Sequence, residues 1–85
     1  MRYQVRTLQN IGSALRDLRK QQKLTQQEAA EKAGLLAKTV SGMETASTNY
    51  SIESLMKLLA AVGGTLEIVP LKDLIQEIED QDLEW

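Results

Sequence analysis

LTQQEAAEKAGLLAKTVSGME, residues 24–44, contains the signals for one short helix and, almost immediately, for another. Thr25 followed three residues later by Glu28 predicts a capping box, in which each side chain satisfies a backbone N–H group at the helix start. Gly34 supplies the left-handed conformation that commonly ends a helix. The sequence therefore predicts two short helices separated by a tight turn.

The junction between these helices has the pattern of a helix-turn-helix unit. Two helices that cross steeply need a small residue where they touch and a glycine where the chain reverses, and Ala30 and Gly34 occupy these places. Val40 follows as the apolar residue that anchors the second helix, predicted at about 36–45. In this arrangement the second helix is presented outward so that it can enter the DNA major groove, which directs Lys38 away from the core.

Helical spacing of apolar residues predicts further helices on both sides. Thr7 is a suitable N-cap for a first helix at about 8–22, and Ser51 for a fourth helix ending near Val62. The fourth helix is expected to bury six apolar side chains: Ile52, Leu55, Met56, Leu58, Leu59 and Val62. The fold class is therefore mainly α, with four to five helices.

A short strand is predicted after the fourth helix. In TLEIV, residues 65–69, Leu66 and Ile68 alternate with polar neighbours, and Pro70 ends the pattern. A lone strand cannot satisfy its backbone groups, so we expect it to pair with the same segment of a second copy, which gives a homodimer. Residues 1–69 would form the DNA-binding and dimerisation domain. Residues 70–85 would form an acidic tail, with an amphipathic helix candidate over 71–79 and a flexible end over 80–85.

Composition argues against an enzyme. The 85-residue chain has no histidine and no cysteine, which removes the usual nucleophiles, the imidazole base and the common metal ligands. We expect neither metal nor cofactor nor small-molecule ligand. No apolar run is long enough to span a membrane and the first residues lack a signal-peptide core, so a cytoplasmic location is expected.

Charge is segregated along the chain. Residues 1–50 carry eight basic and four acidic side chains, a net charge of +4, whereas residues 51–85 carry two basic and eight acidic ones, a net charge of −6. This asymmetry indicates two different partners, one of them a polyanion.

The stretch LRKQQKLTQQEAAEKAGLLAKTVSGME resembles the Xre or phage-repressor type helix-turn-helix proteins, over roughly residues 8–62. The resemblance implies that Gln26 binds a DNA phosphate and that outward residues of the third helix face base edges. The predicted base contacts are Ala37, Lys38, Ser41 and Gly42. The predicted phosphate contacts are Gln26, Gln27, Thr39, Ser47, Thr48 and Asn49. Family members often have glutamine at position 37 and a polar cap at position 36, which leaves Ala37 at most a methyl contact to thymine.

Several of these assignments have alternatives. Lys38 can reach the guanine acceptors O6 and N7, or it can bind a phosphate. Ser41 can reach a base or bond back to its own helix, and Gly42 can allow close approach to DNA or merely be tolerated. The segment 47–49 can bind phosphate or simply form a turn.

Two charged residues are assigned to structure. The resemblance implies an ion pair between Arg19 and Glu44 that ties the first helix to the end of the recognition helix. A carboxylate facing DNA would repel phosphate, so a paired and partly buried Glu44 is also the better physical expectation.

The strand and the terminal LEW make the chain similar to the HipB-like antitoxins within this family. That resemblance implies a small dimeric repressor partnered with a HipA-like serine/threonine kinase toxin, with Trp85 docking in a pocket on the toxin side and Leu83 as a second anchor. A single aromatic on an acidic, flexible end suits such a role. The alternative is a tail that folds back onto its own domain.

We therefore expect a homodimer that binds a palindromic operator, represses its own operon, associates with the nucleoid when bound, and neutralises a HipA-like kinase. One alternative is a repressor of the same fold without a toxin. A second is a dimeric adaptor that contacts only protein.

Overall fold

The computed structural model describes residues 2–73 and residue 75. Four helices form the domain, and their bounds are Leu8–Gln21 (α1), Gln26–Ala33 (α2), Ala37–Thr45 (α3) and Ile52–Ala61 (α4). Residues 71–73 and 75 also have helical backbone. The mainly helical architecture predicted from the sequence is confirmed, and the predicted helix bounds agree with the observed ones to within about two residues, as helix ends usually do.

Side-chain caps define the starts of three helices. Thr7 accepts a hydrogen bond from the backbone of Asn10, and Ser51 accepts one from the backbone of Ser54. At α2 the predicted capping box is present: the Thr25 hydroxyl accepts from the Glu28 N–H at 3.0 Å, and the Glu28 carboxylate accepts from the Thr25 N–H at 2.9 Å. These bonds satisfy backbone donors that a helix start leaves without partners.

Left-handed residues end α2 and α3. Gly34 follows α2 with φ 72°, and the N–H group of Leu35 donates to the Ala30 carbonyl at 2.8 Å, which closes the turn. Ala46 follows α3 with φ 55°, a conformation that alanine adopts less readily than glycine. The chain therefore reverses sharply on both sides of α3 and fixes its direction.

The core lies where α1, α2, α3 and α4 meet. Its largest fully buried side chains are Leu15, Met43, Leu58, Val40 and Val62. The prediction was wrong for two residues of α4, because Ile52 is 68% exposed and Met56 is 46% exposed. These residues are four apart and share a face of α4 that points away from the core formed by the other apolar residues of the helix.

Gly12 sets the distance between α1 and α3. The residue is buried, and a Cβ there would overlap the carbonyl oxygen of Glu44 and lie 2.8 Å from the carbonyl oxygen of Met43. Only the missing side chain lets the backbones approach this closely. Gly12 was not among the residues predicted to matter, although an isolated glycine inside a helical pattern is a signal of close packing.

The segment after α4 has no regular secondary structure at residues 65–70. The predicted strand requires a second chain, so it stays a prediction. The tail assignments beyond residue 75 lie outside the described residues, and so do Leu83 and Trp85. Within the described part of the chain, none of the helices is both long and apolar enough to cross a membrane.

Candidate DNA-binding surface

The outer face of α3 carries the side chains predicted to contact bases. Val40 and Met43 are fully buried beneath the helix, which fixes its rotation. Lys38 is exposed on the opposite side and Ser41 is half-buried beside it, whereas Ala37 is half-buried at the edge of this face and also packs against the core. The structure therefore brings Ala37, Lys38 and Ser41 together on one surface, with the ammonium group as its charged centre.

The hydroxyl of Ser41 makes no hydrogen bond within residues 2–73. The alternative in which it bonds back to its own helix is therefore not observed. Thr45 makes that kind of contact instead, since its hydroxyl donates to the Ser41 carbonyl at 2.9 Å. Ser41 keeps a free donor and acceptor at the surface.

Gly42, one of the predicted base contacts, lies under the loop that follows α3. It is buried, and a Cβ at this position would lie 2.6 Å from the hydroxyl oxygen of Thr48. The loop after α3 folds over Gly42 and covers it. Its lack of a side chain makes room for this loop. The contact of Gly42 with a base stays a prediction.

The two glutamines at the start of α2 are both engaged within the protein. Gln26 is half-buried, and its amide Nε2 donates to Glu44 Oε1 at 3.2 Å. A side-chain amide has two N–H donors, so the second remains available for a phosphate oxygen. Gln27 is exposed and its amide donates to Glu31 at 3.1 Å, one helical turn away.

The remaining predicted phosphate contacts lie on α3 and in the loop after it. Thr39 is half-buried, and the loop residues Ser47, Thr48 and Asn49 are exposed. Ser47 Oγ lies 3.0 Å from the hydroxyl of Thr45, so this serine also stabilises the end of α3. The turn-forming and phosphate-binding roles of the loop are therefore compatible.

Tyr50 follows this loop and packs its ring against the core. Its hydroxyl is buried without a hydrogen-bond partner among the described residues. This burial raises the pKa of Tyr50 above its ordinary value, because the phenolate would lose its hydration.

Behind the surface, Arg19 and Glu44 form the ion pair expected from the sequence. Arg19 Nε donates to Glu44 Oε2 at 2.6 Å and Nη2 donates to Oε1 at 3.0 Å, a two-point contact between side chains that are 11% and 3% exposed. Arg19 Nη1 also donates to the Leu24 carbonyl at 2.8 Å. The hydrogen bonds from Arg19 to Glu44 raise the already high pKa of Arg19, so the guanidinium remains charged.

Glu44 thus joins three helices. It accepts hydrogen bonds from Arg19 at the end of α1 and from Gln26 at the start of α2, while it belongs to α3 itself. The contact of Glu44 with Arg19 was expected from the sequence, whereas its contact with Gln26 was not. That contact positions the predicted phosphate ligand from behind, and it depends on three-dimensional proximity across 18 residues, for which the sequence offers no local signal.

The exposed side chain at the start of α3 was also not assigned to the site. Leu36 is the N-cap of α3 and makes no side-chain cap hydrogen bond, and its side chain is 73% exposed beside Ala37 and Lys38. The signal in the sequence was that Leu36 is apolar, although the N-cap position usually carries a short polar side chain.

Comparisons with known proteins agree with this geometry. The helix-turn-helix family matches residues 15–69 of the chain. Antitoxin HipB from Escherichia coli O6:H1 (strain CFT073) is 32% identical over 76 residues, which cover 88% of this chain and 81% of that protein. The chain belongs to the Xre-type helix-turn-helix family, as a HipB-like member of it.

Proposed function

We propose that this protein is a homodimeric repressor that binds a palindromic operator of its own operon, and that it is also the antitoxin of a HipA-like serine/threonine kinase. The observation that carries the DNA-binding half is the outer face of α3. There Lys38 is exposed and forms no ion pair with any described residue, while a buried network fixes the helix beneath it. We propose that the protein binds its partners and catalyses no reaction.

An apolar groove supports the homodimer. It has a volume of about 270 Å³ and lies between the N-terminal segment, α1, α4 and residues 65–67, with Val5, Leu15 and Leu66 among its lining residues. Ile68 next to it is 93% exposed in the single chain. Covering these side chains with a second copy, with residues 65–69 paired across the two-fold axis, would remove apolar surface from water and satisfy backbone groups.

A dimer of this kind would place two α3 helices in successive major grooves, about 34 Å apart on one side of the duplex. Lysine and amide contacts to phosphate would supply much of the affinity, so binding should weaken steeply as salt concentration rises. We expect the protein in the cytoplasm and, when bound to its operator, at the nucleoid.

The role of Lys38 is tested by measuring the affinity of Lys38→Ala for a set of operator duplexes that differ at single base pairs. A base-reading lysine predicts loss of preference at one position. A phosphate-binding lysine predicts uniformly weaker binding and a salt slope reduced by about one. Lys32→Ala, which removes an exposed lysine at the far end of α2, is the matched control. Wild-type affinity and preference in Lys38→Ala would show that Lys38 contacts neither a base nor a phosphate of the operator.

The antitoxin half of the proposal is supported by the similarity to Antitoxin HipB and by the acidic second half of the chain. We propose that Trp85 anchors the tail in a pocket on the toxin side, with Leu83 beside it. Full-length protein and Trp85→Ala would be used to capture partners from the native cell lysate, with operator affinity as the check that the variant is intact.

Capture of a kinase by the wild type and its loss with Trp85→Ala is the expected result. A kinase captured equally by both proteins would retain the antitoxin role and reject the anchor. Capture of no kinase by either protein would contradict the antitoxin role and leave a repressor without a toxin.

A further inference from the structure

The start of α3 differs from the starts of the other three helices. Thr7, Thr25 and Ser51 each accept a backbone hydrogen bond at their own helix, whereas Leu36 has no group that can do so. Leucine is among the poor N-cap residues, so its presence does not help α3 to form. Its side chain is also 73% exposed, so it has little packing role within the described part of the chain.

The position of Leu36 indicates what its side chain meets. In a helix-turn-helix domain the N-terminal residues of the second helix contact base edges in the major groove. Leu36 immediately precedes Ala37 and Lys38, and it extends their surface at that end of α3. A leucine gains nothing from a phosphate, which is charged and strongly hydrated. Its partner in the groove should therefore be apolar.

The bases present one apolar group in the major groove, the C5-methyl group of thymine. We propose that Leu36 reads a thymine in the operator by packing against this methyl group. The inference rests on the proposed operator binding and adds a specificity-determining residue to it. Together with Ala37, Leu36 gives the recognition surface an apolar edge beside the charged and polar contacts of Lys38 and Ser41.

The test uses duplexes that the wild-type protein selects from random sequence. Each thymine is replaced in turn by deoxyuridine, which removes only the methyl group, and the dissociation constant is measured for wild type, Leu36→Ala and Leu36→Ser. We expect one thymine per half-site at which deoxyuridine weakens wild-type binding roughly fourfold, the effect of burying one methyl group. Both variants should bind the thymine duplex more weakly and should show no loss on that replacement.

Two controls separate base reading from instability. Ile52→Ser removes an apolar side chain of similar exposure, 68%, from α4 and should retain the wild-type response to deoxyuridine. Serine is a favourable N-cap residue, so Leu36→Ser should have a melting temperature equal to or above that of the wild type. Weaker binding by this variant then cannot arise from a less stable recognition helix.

Three outcomes contradict the inference, and they differ in what else they contradict. If the wild type selects no preferred sequence, the proposed operator binding fails and the inference fails with it. If a preferred site is selected but contains no thymine that responds to deoxyuridine, only the inference fails. The same holds if the response persists unchanged in Leu36→Ala, because another residue must then contact the methyl group.

Discussion

At the scale of single residues, Glu44 is a buried charge that contacts two other helices. Its nearly buried carboxylate accepts two hydrogen bonds from Arg19 and one from Gln26, and so it connects α1, α2 and α3. A buried charge is tolerated only when its partners replace the lost water, and these partners do so. The same carboxylate also accepts a hydrogen bond from Gln26, one of the predicted phosphate ligands, so it would link the stability of the domain to the proposed DNA contact.

Replacement of Glu44 by alanine should therefore destabilise the protein by about 3 kcal/mol, because it leaves the largely buried Arg19 guanidinium without its counter-charge. Urea denaturation measures this change in the free energy of unfolding. The matched control is Glu53→Ala, which breaks an exposed pair with Lys57 at 3.2 Å and should cost about 0.5 kcal/mol or less. Equal losses in the two variants would contradict the structural role of Glu44.

At the scale of helices, the capping box of α2 makes stability depend on pH. Hydrogen bonds from the backbone and hydroxyl of Thr25 lower the pKa of Glu28 below its ordinary value of 4.5. A lowered folded-state pKa contributes stability that is present above the unfolded value and is lost as pH falls through the folded one.

The pH prediction compares wild type with Glu28→Gln, which retains a capping-box residue but does not titrate. The wild type should be the more stable protein at neutral pH, and the difference in melting temperature should shrink as pH falls below 4.5. All other carboxylates are present in both proteins, so their effects on stability cancel in the difference between the two melting temperatures. A difference that stays constant down to about pH 3 would contradict the role of the Glu28 charge.

The contact between α1 and α3 gives a second prediction at this scale. Gly12→Ala should destabilise the protein by about 1–3 kcal/mol, because the added Cβ meets the backbone of α3. Helix propensity alone predicts the opposite, a gain of about 1 kcal/mol. Ser13→Ala, at an exposed position of the same helix, should change the free energy of unfolding by a few tenths of a kcal/mol. A stabilised Gly12→Ala protein would show that the helices are not in close contact there.

The features that could be predicted from the sequence are those that depend on neighbouring residues. Thr25, Glu28 and Gly34 act on backbone groups within a few residues, so the start and end of α2 were predictable. The exposure of Met56 and the cover over Gly42 depend on how a helix face or a loop meets the rest of the domain. Such contacts leave no periodic signal, so the expected burial of Met56 was wrong and the packing of the loop over Gly42 was not predicted.

At the scale of the whole molecule, the basic first half and the acidic second half correspond to two proposed partners. Residues 1–50, with a net charge of +4, contain all of the helix-turn-helix unit. This charge favours association with a polyanion. Residues 51–85, with a net charge of −6, would be repelled by the same DNA and are better suited to a protein partner.

Homodimer formation is the prediction that belongs to this scale. Ile68→Asp places a charge at the proposed paired segment, on the side chain that is the most exposed among the large apolar residues that the structure describes. Light scattering should detect a dimer for the wild type and a larger monomer fraction for the variant, because a buried charge opposes the interface. As the control, Glu67→Asp keeps the negative charge at the position before Ile68, and this variant should remain dimeric. A wild type that is monomeric at high concentration would contradict the proposed pairing.

Sequence-specific DNA binding is the claim on which the rest depends. The most direct measurement is the affinity of the full-length protein for the duplex upstream of its own coding sequence and for a scrambled duplex of the same composition, by fluorescence anisotropy at physiological salt. We predict binding to the upstream duplex that is roughly a thousandfold tighter. Equal affinities for the two duplexes would contradict the account.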